Sequence, residues 1–376
     1  MLSAGCQKKL TQVAFGSRRL RVLVAPLDWG LGHASRCVPL IQHLMNKGAE
    51  VLLAGEEKTS ALLSEAFPQL PILPLRGYRV HYRRSSMVLN MVGQVPKILS
   101  VIRAEHQWLQ QAVHQYRIDA VVSDNRYGLY HTRIPSVIIT HQLHIHTGFG
   151  AGPDALLQQL HFWYLNKFSF CWVPDEANSP GLAGLLSHPH RLPKAETHFI
   201  GPLSRLTPQP VVSKTSDLLF LLSGPEPQRT QFEKQILDAL NNFSGNAVLV
   251  RGLPGSPTAL HHSIKRLTAH NHLSATALSQ AIAASKMVVC RSGYSTIMDL
   301  VALGASAVLV PTPGQTEQEL LARYAHNQGW ATCIPQKRFS LAAVTAAAPG
   351  HRFPQLPPTT AALQPALDAL FKACSR

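Results

Sequence analysis

Acidic residues are scarce in this chain: 20 Asp and Glu stand against 35 Lys and Arg over 376 residues. The resulting formal charge of +15 points toward acidic partners, whether nucleic acid, an anionic membrane face or phosphorylated substrates. No zinc-finger or RNA-binding signature accompanies the cations, which makes nucleic acid the weakest of the three. Cysteine is sparse as well. The six (Cys6, Cys37, Cys171, Cys290, Cys333 and Cys374) lie far apart with no C-x-x-C pair. That argues against a zinc framework or a disulfide scaffold and for a reducing compartment. No apolar run is long enough to span a bilayer, and the N-terminal MLSAGCQKKLTQVAFGSRRL lacks the apolar core of a signal peptide. A cytoplasmic protein is expected, with membrane contact that is peripheral if it occurs.

What the chain does have is a repeated alternation of strand and helix. From Arg21 it reads RVLVAPLDWGLGHASRCVPLIQHLMNKGAEVLLAG. A short β-branched-rich strand over 22–25 runs into a glycine turn. Ala34, Cys37, Val38, Ile41, Leu44 and Met45 then recur at helical spacing, and a second strand follows over 51–54. Further strands are expected over 118–122 and 136–140, and more weakly over 72–73 and 198–200. After a loose Pro- and Ser-containing stretch, strands over 217–222, 247–250, 287–290 and 307–310 alternate with helices. Such alternation predicts parallel sheets covered on both faces. The expected division is a Rossmann-like domain over 21–202, a linker over 203–216, a second Rossmann-like domain over 217–340, and a tail over 341–376 whose helix would pack back on the first domain. Ligands bind beyond the carboxyl ends of such strands, so both glycine turns should face one central cleft.

The most informative segment runs from Val288 to Gly329. A strand ends at Cys290, and Ser292-Gly293-Tyr294-Ser295-Thr296 opens a helix. Unpaired N–H groups and the positive end of a helix dipole suit a diphosphate. Gly293 allows close backbone approach, Ser295 and Thr296 carry hydroxyls, and Asp299 one turn later can accept from ribose hydroxyls. The next strand ends at Pro311, and the loop beyond it delivers Gln315, Glu317, Gln318 and Glu319, amides and carboxylates of the kind vicinal sugar hydroxyls require.

Arg291, Ser292, Gly293, Thr296, Asp299, Pro311, Gln318 and Glu319 follow the pattern R-[SA]-G-x-x-[ST]-x-x-[ED], strand, Pro and paired polar residues. In this the chain resembles the C-terminal domain of the family 28 glycosyltransferases of GT-B architecture, which include the peptidoglycan N-acetylglucosaminyltransferase and the diacylglycerol sugar transferases. The resemblance implies that Asp299 holds the ribose, that Gln318 and Glu319 hold the donor sugar, and that Leu278 lies near the nucleotide. It also implies a uridine nucleotide, no metal and no cofactor beyond the donor itself. The turn Ser223-Gly224 joins the donor set. Asp28-Trp29-Gly30-Leu31-Gly32-His33 is similar to the family's N-terminal glycine loop ending in His, which puts Gly30 and Gly32 on the acceptor side.

Two residues compete for the role of general base, His33 at the start of the first helix and Asp124 after the strand at 118–122. His141 and Gln142, beyond the strand at 136–140, are expected to make polar contacts at the same rim. No carboxylate or cysteine completes a metal set around His141, His144 and His146. The activity implied is inverting transfer from a nucleoside diphosphate sugar to an acceptor hydroxyl, which the family extends to lipid-linked acceptors. A nucleotide-sugar 2-epimerase and a non-catalytic nucleotide-sugar binder are the alternatives. Finally, Arg76, Arg79, His81, Arg83 and Arg84 precede a stretch in which Val88, Met91, Val92, Val95, Leu99 and Ile102 fall on one helical face. A basic amphipathic segment of this kind suits docking at an anionic bilayer. A phosphate on a soluble acceptor is the other use of the cations, and a core-packing helix with a solvated basic loop is the plain one.

Overall fold

Strand β1 (Arg21–Pro26) is buried at every position after its first, as a central strand covered on both faces must be. In a computed structural model, which describes residues 18–78, 94–146, 150–210, 213–347, 350–356 and 360–375, it lies third in a seven-stranded parallel sheet. The order is β3 (Ile72–Pro74), β2 (Glu50–Gly55), β1, β4 (Ala120–Asp124), β5 (Ser136–Ile139), β6 (Phe170–Val173) and β7 (Glu196–Phe199). The second sheet has six parallel strands: β10 (Leu267–His270), β9 (Ala247–Val250), β8 (Ser216–Leu221), β11 (Ser285–Cys290), β12 (Ala307–Leu309) and β13 (Ala331–Cys333). In each sheet the chain builds outward from its first strand on one side, then crosses over to build on the other. The switch points fall between β1 and β4 and between β8 and β11, where such sheets open a crevice.

Several local expectations are corrected. Strands β6, β10 and β13 are additions to the expected set; β10 (LTAH) and β13 (ATC) lack an apolar run. Strand β4 runs two residues later than the spacing suggests, so Asp124 is its last residue rather than part of the following turn. The stretch between the domains is packed at its start, over 201–206. Leu203 and Leu206 are buried, and the Leu203 N–H lies 3.2 Å from the Met298 sulfur.

Most of the basic amphipathic stretch (79–93) lies outside the described residues. The helix beyond it is Val95–Tyr116, with Pro96 in the first turn, where a missing N–H breaks no helical bond. Ile102, counted on the bilayer-facing side, is instead buried with Leu27, Tyr78 and Val101. At the other end of the chain, helix Thr360–Cys374 buries Leu363, Ala366, Leu367 and Leu370 in the same apolar cluster as Leu40 and Ile41 of the first domain and Met298 and Leu300 of the second. Lys47 pairs with Asp368 on that helix.

Candidate functional site

Strand register brings the first wall together. Pro26 of β1 is level with Asp124 of β4, which is level with Ile139 of β5, so the segments after all three strands leave at one height. Gly30 caps the helix Leu31–Asn46 at φ 133°, a conformation that L-residues rarely adopt, and no side chain caps that helix. His33 sits in its first turn. Its Nδ1 is 3.1 Å from Asp124 Oδ2, and Arg36, one turn on, donates Nε to the same oxygen at 2.8 Å and pairs with Oδ1 through its Nη2.

This arrangement changes the roles assigned from sequence. Asp124 is fully buried beneath His33 and Arg36 and cannot touch a substrate, so it is a positioning residue and not a rival base. Burial opposes its charge, but Arg36 and His33 outweigh that and hold its carboxyl well below the usual range. The pKa of His33 is lowered, chiefly by burial and further by Arg36, against the pull of Asp124, so the ring is neutral at pH 7. Its Nδ1 also lies 2.9 Å from Arg36 Nη2. Arginine only donates and ionised aspartate only accepts, so the proton decides which bond forms. The carboxylate favours a proton on Nδ1, which leaves the Nε2 lone pair for the cleft. Arg36 was missed in the sequence; its signal was a lone cation at i+3 from His33 on the buried face of the helix.

The second wall is built at the ends of β8, β11 and β12. Helix Tyr294–Leu303 starts after Gly293 with no side chain capping it. A side-chain carbon placed on Gly293 would meet nothing closer than Thr296 Oγ1 at 3.9 Å, so space lies open above that terminus. Gly224 opens likewise toward Thr312. Asp299, one turn in, accepts from Ser204 Oγ at 2.5 Å, and burial raises its carboxyl to about 6 against the influence of Ser204 and Arg205. Leu278 packs at the edge of the core below it.

Helix Thr316–Asn327 begins after Gln315, and its first turn folds back on its own loop. Gln318 Oε1 accepts from the Thr312 N–H at 2.9 Å, and Glu319 Oε1 from the Gly314 N–H at 3.2 Å. Arg291 is corrected from a donor contact to a buried pin. It is fully buried over the Phe232 ring, donates to the carbonyls of Val310 and Pro311 at 3.1 and 3.2 Å, and reaches Gln336 Oε1 at 2.8 Å. The Ser292 hydroxyl is likewise spent on the Gln318 carbonyl, at 2.7 Å.

The two walls touch. A side-chain carbon on Gly32 would lie 2.7 Å from Ser295 Oγ, so the first glycine loop reaches the second domain's helix start only because it is glycine. His141, expected on the acceptor side, spans the cleft instead: its ring stacks on Tyr294 at 4.1 Å and its Nε2 lies 3.0 Å from Glu317 Oε1. Gln142 is held through its backbone, its carbonyl accepting from His161 Nε2 at 2.8 Å and its N–H donating to Thr140 Oγ1 at 3.2 Å. Among the described residues no group of three His, Cys, Asp or Glu side chains is gathered as for a metal ion.

Residues 257–352 match the glycosyltransferase family 28 C-terminal domain. Over 84% of this chain and 86% of its own length, an uncharacterised glycosyltransferase of Methanosarcina acetivorans is 22% identical. The UDP-N-acetylglucosamine--N-acetylmuramyl-(pentapeptide) pyrophosphoryl-undecaprenol N-acetylglucosamine transferase of Pasteurella multocida is 42% identical over 60 residues, which are 16% of this chain and 17% of that enzyme. Among solved structures, the kitacinnamycin glycosyltransferase superposes with a TM-score of 0.61 at 15% identity, each chain covered to 96%, and so shares the GT-B fold.

Proposed function

We propose that this chain, a family-28-like glycosyltransferase of GT-B fold, moves a sugar from a nucleoside diphosphate sugar to an acceptor hydroxyl with inversion at the anomeric carbon. One observation carries the reading. A neutral His33, backed by buried Asp124, lies in the helical turn whose Gly32 meets the uncapped helix start at Ser295. Base and leaving-group site therefore face each other across one contact. The acceptor O–H gives its proton to His33 Nε2 while its oxygen attacks the anomeric carbon. The bond from that carbon to the β-phosphate oxygen breaks, and the departing diphosphate takes the electron pair. Its growing charge is met by the N–H groups and dipole of the helix Tyr294–Leu303, with no metal required. Asp299 holds the ribose, and Gln318 and Glu319 exchange their loop bonds for sugar hydroxyls. Uridine is the favoured base, in line with the donor named for the Pasteurella multocida relative.

Calorimetry with UDP tests the donor half. Asp299→Ala is expected to weaken binding by about 1–3 kcal/mol, the cost of orphaned polar partners. With the Asp299 carboxyl raised to about 6, only its ionised form accepts two ribose hydroxyls. UDP affinity should accordingly fall as pH drops through 6, and Asp299→Asn should abolish that slope. An unchanged affinity in Asp299→Ala removes this residue from the site, and turnover lost to EDTA and restored by Mg²⁺ overturns the metal-free step.

The acceptor proposed is lipid-linked, in keeping with the +15 charge and with the undecaprenol acceptor named for that same relative. Sedimentation with anionic liposomes checks this. Binding should fall with salt and in Arg83→Glu/Arg84→Glu; no co-sedimentation at low salt rejects membrane docking.

A further inference from the structure

Every group assigned to deprotonate the acceptor lies on the first domain, and every group assigned to hold the donor lies on the second. The distance from His33 to the anomeric carbon is therefore set by contacts between the domains. A misplacement of about 1 Å can cost on the order of 10² in rate. Among the described residues, such contacts at the cleft include the following. Tyr324 donates to the Gly181 carbonyl at 2.8 Å, the Tyr294 hydroxyl donates to the Pro174 carbonyl at 2.9 Å, Gly32 meets Ser295, and Glu317 pairs with His141.

The last of these differs from the rest. Glu317 shares one helical turn with Gln318 and Glu319, whose side chains hold the donor loop through Thr312 and Gly314. Movement of that turn by a bound sugar must move Glu317 too. On the opposite wall His141 is 6% exposed and clamped against Tyr294, a ring that itself opens the helix at the diphosphate site. Burial opposes the charge of Glu317, but the bond from His141 and the nearby Arg36 guanidinium outweigh it and hold the carboxyl below its usual range. His141 donates from Nε2, which leaves its buried Nδ1 as a lone pair without a partner. A donor-loop residue is thus tied to the wall that carries the base.

Building on the glycosyl-transfer reading above, we propose that Glu317 and His141 are positioning residues whose bridge closes the domains and sets His33 against the seated donor. Their removal should harm transfer without harming nucleotide binding, because the donor contacts all lie on the second domain.

The test uses the full chain and three readouts. In Glu317→Ala and in His141→Ala, transfer kcat should drop about 10- to 100-fold. UDP affinity by calorimetry should stay within about threefold. The double variant should be no slower than either single one, as expected for partners acting as a unit. Glu317→Gln, whose amide oxygen still accepts from Nε2, should retain most activity. Small-angle scattering with UDP bound should show Glu317→Ala more open than the parent. A UDP affinity that falls in step with kcat, additive losses, or an unchanged kcat overturns the bridge. Should the parent bind UDP yet transfer no sugar, the functional reading fails by itself. The scattering comparison then still decides, and equal dimensions in the two proteins reject closure by this pair.

Discussion

Replacing His33 with alanine is expected to lower turnover by about 10² or more while leaving UDP affinity nearly unchanged, the signature of a lost general base. His33 is favoured over its two partners because Asp124 is buried and Arg36 is committed to it. Asp124→Asn should cost on the order of 10², no more than the loss of His33 itself, even though its shape is preserved. The amide removes the carboxylate that selects the Nδ1–H tautomer and lets Arg36 donate to Nδ1 instead, which puts the proton on Nε2 and blinds the base. The pKa of His33 is lowered, so the acid limb of kcat at saturating donor should fall below the ordinary histidine range near 6.5 and disappear in His33→Ala. Full activity in His33→Ala would remove it from the reaction, and an acid limb above 6.5 would contradict the buried, neutral ring.

The largest loss of stability is expected beneath the same wall. Arg126 is fully buried, donates Nε to the Pro26 carbonyl at the end of β1 at 2.8 Å, and pairs with Glu105 Oε1 at 2.8 Å. Glu105 in turn accepts from the Tyr78 hydroxyl at 2.9 Å and the Gly128 N–H at 3.1 Å. Taking away either partner leaves a buried charge uncompensated, which costs about 3–5 kcal/mol. Urea unfolding of Arg126→Ala and Glu105→Ala should register that loss as a lower midpoint at unchanged slope. The effect in Arg126→Ala should also depend on pH. Burial already pushes the Glu105 carboxyl up, with Arg126 pulling it down. Without Arg126 its folded pKa rises further above the unfolded one, so the folded state binds the extra proton and stability falls as pH rises between the two. A loss equal at pH 5 and pH 8, or below about 1 kcal/mol, would show the pair to be of little weight.

How far the sequence carried is clearest at particular residues. The apolar run at 22–25, the helical spacing from Ala34 to Met45 and the strand–glycine–helix step at 290–296 depend on neighbours a few residues apart, and the elements built on them form where the pattern puts them. Strands β10 and β13 were illegible because short, half-exposed edge strands draw their order from the strand beside them, not from their own side chains. The candidate site divides the same way. Ser292 to Thr296, Asp299, Gln318 and Glu319 are carried on two local turns, which local sequence places together.

What only the tertiary structure decided is which of these side chains still have atoms to offer. Chain order could not show that Asp124 is covered by Arg36 and spent on His33, that Arg291 is buried and donates to the carbonyls of Val310 and Pro311, or that His141 crosses to Glu317, 176 residues away. Local sequence by itself determined the two βα frameworks and the loops at their carboxyl ends, because short-range periodicity and turn chemistry act within one element. The division of labour among the charged residues came from burial and from partners brought together by strand order, and those forces act across distances that no local pattern encodes.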